Sequence, residues 1–180
     1  MTFSDAIRTC FSKFFTFSGR ASRPEYWFFF LFIVIWNIIA GIIDWQFFTQ
    51  VSVSQTDEVK AVTATSTAPV QSIVGLIVFF PHLAVAWRRM HDTGRSGLYA
   101  LLPFLLILGA FAVLIFGIGL ASHFQHGGSL DILFTRATLL IVIPTLIVLF
   151  VSPLLVLWWL TRPSQPGANK YGPNPIEVPQ

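Results

Sequence analysis

Charge is what this 180-residue chain has least of. Asp, Glu, Lys and Arg together make up 11% of it, against 54% apolar residues, nineteen phenylalanines and a mean hydropathy of +0.72. So few polar side chains cannot cover a surface facing water, which excludes an ordinary soluble globular domain. Cysteine is nearly missing too. Cys10 stands alone, which excludes an internal disulfide and a multi-cysteine metal centre; it falls on an apolar face and reads as a small buried or lipid-facing residue. The formal net charge is a modest +3, and no nucleic-acid partner is expected. No cleavable signal peptide is expected either, because the first apolar run begins only at Tyr26 and is too long for an h-region.

What the chain has in quantity is apolar runs. At a rise of about 1.5 Å per residue they are long enough for a hydrocarbon core of about 30 Å. A helix is predicted to start near Arg23, where Ser22 and Glu25 have capping-box spacing and Pro24 fits the first turn. Its span covers about 26–47, with Asn37 as the strongly polar interruption. Further spans follow at about 70–87 with Pro81 inside, 98–120 with Ser96 as N-cap, and 139–160 with Pro144 and Pro153 as kinks. Within residues 2–15, Phe3, Ile7, Cys10, Phe11 and Phe14 recur at helical spacing, as in an amphipathic helix that lies in the interface or caps the bundle. The Ser/Thr-rich stretch 49–69 is predicted as a solvent-exposed loop. Residues 121–138 are predicted as a loop with a short interfacial piece, and the proline-rich 161–180 as an extended tail. The expectation is therefore an all-α membrane protein in a single domain, with four transmembrane helices and an N-terminal amphipathic interfacial helix.

The placement of the basic residues orients this bundle. Segments 1–25, 88–97 and 161–180 hold four, three and two Lys/Arg, whereas the two opposite loops hold only Lys60 and Arg136. Nine against two places both termini in the cytoplasm under the positive-inside rule. Tyr26, Trp27, Trp87, Tyr99, Trp158 and Trp159 fall at the same predicted boundary, where amphipathic rings prefer to sit.

Three polar segments thus converge on one face: GRASRPEYW, RRMHDTGRSG and PGANKYGPNP. The second, residues 88–97, reads as a polar hinge between two apolar elements, sitting in water or among headgroups. One reading is a shared anion site, in which Arg20, Arg23, Arg88, Arg89, Arg95 and Lys170 form a basic rim for phosphate or an anionic phospholipid headgroup, helped by Ser96 and the amide end of the following helix. The other is structural: Arg88 and Arg89 are topology signals and helix-dipole partners, and Glu25 and Asp92 pair with arginines to fix helix ends. His91, Asn169 and Tyr171 belong to the same polar cluster.

His91 beside Asp92 supplies the residue types of a general base and its orienting carboxylate, yet neighbours in sequence rarely point the same way and no nucleophile is marked out. No catalytic residue is assigned. His123 and His126 have helical spacing for two metal ligands but lack a third, so neither metal nor cofactor is expected. Inside the membrane stands His82, directly after Pro81, either bonding a freed carbonyl or serving a function. A membrane enzyme or small transporter using His91 and Asp92, or His82, is the alternative to a structural protein that binds lipid, a protein partner or a second copy of itself.

The succession FSGRASRPEYW, a span, a proline-containing span ending in RRMHDTGRSG, and GANKYGPNP resembles the bacterial inner-membrane family catalogued as domain of unknown function 805, the YhaH-like proteins. The resemblance covers about 14–175. It rests on Gly19, Arg20, Arg23, Glu25, Tyr26 and Trp27, on Arg88, Arg89, His91, Asp92, Thr93, Arg95, Ser96 and Gly97, and on Asn169, Tyr171, Gly172 and Pro175. Departures lie in the two loops, which are longer than the family's compact pattern. The resemblance implies a small α-helical protein of the bacterial cytoplasmic membrane with no established reaction.

Overall fold

Helix α1, Phe3–Ser12, begins at a completed capping box: the Thr2 hydroxyl accepts from the Asp5 amide at 3.3 Å, and the Asp5 carboxylate accepts from the Thr2 amide at 2.9 Å. These bonds satisfy amides that the first helical turn leaves free. The computed structural model describes the backbone of residues 1–56, 59–124 and 131–177, and their side chains outside 51–66, 113–114 and 116–142. Helix α1 buries Ala6 and Cys10, and Phe11 meets Phe29 and Phe32 edge-on at 5.5 and 5.9 Å.

Helix α2, Arg23–Phe48, starts where Ser22 accepts from the Glu25 amide at 3.4 Å. The Glu25 carboxylate does not reach back to its own cap; it accepts from Arg88 instead. Beyond α2 the structure departs from the predicted loop. Strands β1, Thr49–Thr56, and β2, Val59–Ser66, pair antiparallel in register from Thr49 opposite Ser66 to Thr56 opposite Val59. The stretch is polar, but its valines and threonines are β-branched and favour the pleated conformation.

Helix α3, Pro69–Asp92, has no cap of its own at its start, where Ala68 adopts φ 44°. Asp44 of α2 supplies one: its buried carboxylate accepts from the amides of Val70 at 3.0 Å and Gln71 at 2.8 Å. At its other end α3 runs through residues 88–92, so the predicted hinge contracts to 93–96. A short 3-10 helix, Gly97–Leu101, leads into α4, Leu102–Phe124, and α5 spans Asp131–Thr161. Residues 131–138, predicted as loop, are therefore helical.

Among the described residues, three helical stretches are long and apolar enough to cross a membrane: Arg23–Phe48, Pro69–Asp92 and Ile143–Thr161. A fourth apolar helical stretch, Gly97–Ala112, is shorter. Their outer faces expose Ile42, Phe47, Leu76, Phe104 and Phe150, an arrangement suited to lipid and not to water. The buried core lies to one end, where Cys10, Tyr26, Phe29, Val85, Met90, Val156 and Leu160 pack together.

Candidate functional site: a buried arginine joint

That core closes beneath the last turns of α3, and the RRMHDTGRSG signature can be read there residue by residue. Thr93 ends the helix, Gly94 takes φ +77°, the Gly94 amide donates to the His91 carbonyl and the Arg95 amide to the Met90 carbonyl, both at 3.0 Å. This is the Schellman pattern, which needs a left-handed residue and so favours glycine. Ser96 caps the 3-10 helix by accepting from the Leu98 amide at 3.4 Å. Gly97 lies against the Trp87 indole so closely that a Cβ would enter the ring.

The arginine pair points inward. Arg88 is 1% exposed and Arg89 is fully buried, which corrects the expectation that residues 88–92 sit in water or headgroups. A buried cation needs a partner, and each has one. Arg88 Nη1 donates to Glu25 Oε1 at 2.7 Å, while its Nε and Nη2 meet no acceptor among the described residues. Asp92, itself fully buried, serves two arginines: Oδ1 accepts from Arg20 Nε at 2.9 Å and Oδ2 from Arg89 Nη1. Arg89 also donates to the Leu160 carbonyl at 3.1 Å and to the Arg162 carbonyl, so a cation of α3 caps the carbonyl end of α5.

The tail is drawn into the same network. Arg20 donates to the carbonyls of Gln165 at 2.6 Å and Gly167 at 2.7 Å. The Gln165 amide donates to the Asp92 carbonyl at 3.0 Å, and Asn169 Nδ2 to the His91 carbonyl at 2.9 Å. His91 Nδ1 lies 3.0 Å from the Gly19 carbonyl oxygen, and its ring stacks on Tyr171. Asn169 in turn accepts from the Tyr171 amide at 2.9 Å.

The structure thus brings Arg20, Glu25, Arg88, Arg89, His91, Asp92, Asn169 and Tyr171 into one joint. The other predicted cations lie outside it. Arg23 is exposed at the start of α2, Lys170 is exposed with Nζ 4.9 Å from the Tyr171 ring centre, and Arg95 is half-buried with its guanidinium 5.0 Å from the centre of Trp159. Burial, and secondarily the nearby Arg162, lower the proton affinity of Arg95. Cys10 lies behind Glu25, with Sγ 4.0 Å from the Glu25 carbonyl oxygen, and desolvation pushes its thiol pKa up to about 12.

His82 stacks against Tyr26, ring centres 5.8 Å apart, and its Nε2 meets no partner among the described residues. His126 and the side chain of His123 lie outside the described residues, as do the side chains of Lys60 and Arg136. Among the described residues no group of three His, Cys, Asp or Glu stands together as metal ligands. Sequence reasoning missed Arg162 and the carbonyl acceptors of the tail, because main-chain groups carry no residue signal. It also missed Asp44, whose place near the far end of an apolar helix was the available clue.

Residues 14–173 match the family described as Protein of unknown function (DUF805). The chain belongs to the DUF805 family. Every residue of the joint, from Arg20 to Tyr171, falls within that match, whereas α1 precedes it. The chain is similar to inner membrane protein YhaH of Escherichia coli strain K12, 34% identical over 104 residues that make up 56% of this chain and 73% of the relative. It is also similar to inner membrane protein YhaI of the same strain, 36% identical over 100 residues, 56% of this chain and 71% of the relative. No solved structure matches.

Proposed function

We propose that this DUF805 chain is a non-enzymatic, multi-pass protein of the bacterial cytoplasmic membrane, with four spans and both termini in the cytoplasm. Its three signatures form an ionic lock, and the cations left outside that lock hold anionic phospholipid headgroups. The observation that carries this reading is Asp92, a fully buried carboxylate held between Arg20 and Arg89. Each of its oxygens is engaged by an arginine, and His91 Nδ1 meets the Gly19 carbonyl instead of this carboxylate. His91 faces Tyr171 and Gly19 in the same way, which favours a structural pair over a catalytic one. Arg20, Arg88 and Arg89 then serve as framework, and headgroup recognition passes to Arg23, Arg95 and Lys170, with Ser96 as a helix cap.

Four spans follow if α4 crosses together with α5, since both are apolar over their described lengths. The excess of Lys and Arg in segments 1–25, 88–97 and 161–180 supports cytoplasmic termini. Alkaline phosphatase and fluorescent-protein fusions at residues 95, 126 and 180 test the topology. Fluorescence is expected at 95 and 180 and phosphatase activity at 126; phosphatase activity at 95 would sink it. Headgroup binding is tested by native mass spectrometry after extraction from membranes. Wild type is expected to retain anionic lipid, and indifference to charge among the retained lipids would remove that part of the proposal.

A further inference from the structure

A cleft of about 300 Å³ opens beside the joint, between the turn after α3 and the start of the tail. Thr93, Arg95, Arg162, Ser164 and Gln165 line it together with two prolines. It has roughly ten times the volume that one water takes in the liquid, about 30 Å³, so it is roomy enough for a larger polar group. Its electrostatics are one-sided. None of the lining residues is acidic, and neither Arg95 nor Arg162 has a carboxylate partner among the described residues, whose ion pairs are those of Arg20, Arg88 and Arg89. Two cations, half-buried Arg95 and exposed Arg162, therefore share the cleft without a counter-ion among the described residues.

The arginines are held in a way that leaves donors free. Arg95 lies over Trp159 at 5.0 Å and Arg162 over Trp158 at 4.9 Å. A cation–ring contact is not a hydrogen bond to oxygen, so most of the five N–H groups of each guanidinium remain available to oxygen acceptors. Of these only one, from Arg95 Nη1 to the Thr93 carbonyl at 3.2 Å, is engaged within the turn. Ser164 lines the same cleft, its Oγ turned away from the open space and buried.

We infer that this cleft is a phosphate-binding site in which Arg95 and Arg162 hold the oxygens. The phosphoryl group comes from a phospholipid headgroup or from a soluble phosphate ester. Trp158 and Trp159, at the end of α5, set the cleft at the level where interfacial rings meet headgroups. The inference rests on that reading, narrows the proposed rim of headgroup-binding cations to one place and adds Arg162 to it.

The test uses full-length protein in nanodiscs of mixed phosphatidylglycerol and phosphatidylcholine, with retained lipid counted by native mass spectrometry. A second arm titrates inorganic phosphate in neutral detergent and follows tryptophan fluorescence. Arg95→Gln with Arg162→Gln is expected to weaken binding by about tenfold or more per arginine. Ser164→Asp, which fills the cleft with negative charge and leaves both arginines in place, is expected to abolish it, with melting temperatures showing that each variant is folded. A cleft-dependent preference for phosphatidylglycerol assigns the lipid source; cleft-dependent binding of inorganic phosphate without that preference assigns the soluble one. Wild-type binding of both probes by both cleft variants overturns the inference. If Arg23→Gln with Lys170→Gln then loses phosphatidylglycerol, the rim stands without the cleft; if it does not, the rim reading fails as well.

Discussion

The His91 imidazole lies flat on the Tyr171 ring, with centres 3.7 Å apart and planes 2° from parallel. Through that contact the tail covers the last turn of α3. Aromatic pairs contribute about 0.5–1.5 kcal/mol beyond their buried area, so Tyr171→Ala should cost on that order while Tyr171→Phe costs little. Limited proteolysis checks the expectation: the tail should be cut faster in the Ala variant at unchanged melting of the helices, and equal rates would show that the stack does not hold it.

Asp92→Ala should be the most damaging single substitution in the joint. It strands Arg20 and Arg89 inside the protein, and breaking a buried pair by removing one partner costs about 3–5 kcal/mol. The pair Glu25 and Arg88 offers a sharper comparison. Either Glu25→Met or Arg88→Met alone leaves a charge unpaired, whereas the double variant removes both, so it should melt higher than either single one in detergent. A double variant no better than the singles would mean that the two side chains are not coupled.

Gly97→Ala should destabilise the fold, because the added methyl enters the Trp87 indole. Overpacking of this kind costs about 1–3 kcal/mol. Combining it with Trp87→Leu should recover part of the loss. Thermal melting of the four proteins decides the matter, and Gly97→Ala melting with the wild type would refute the contact.

Cys10 provides a dependence on pH. Its thiol is held up to about 12 by burial, against an ordinary value of 9.0, and only the thiolate reacts readily. Maleimide labelling of folded protein should stay slow from pH 7 to 9 and become fast when detergent unfolding exposes α1. The sign for stability follows from the same shift. Above pH 9 the unfolded thiol ionises before the folded one, so stability should fall as pH rises toward 12 and be insensitive to this group below 9.

The helices and their order were legible because apolar runs and caps such as Ser22 and Ser96 act locally. The joint was legible in its members and not in its geometry. RRMHDTGRSG looks like an exposed hinge, because the carboxylate and guanidinium that complete it, Glu25 and Arg20, stand 63 and 72 positions from their partners Arg88 and Asp92. The arginines' other acceptors include carbonyls of Leu160, Arg162, Gln165 and Gly167, which no residue type announces. The strand pair at 49–66 is hidden for a different reason: the stretch reads as polar from its serines and threonines, whereas the β-branching of its valines and threonines is the stronger signal.

The Asp44 cap at the start of α3 and the Glu25 pair near its end sit at opposite ends of the same two antiparallel rods. Sliding one rod along the other by a turn, about 5.4 Å, would pull both fastenings apart at once. That couple cannot ratchet without losing its charges' partners, so α2 and α3 are pinned as one unit at both of their ends.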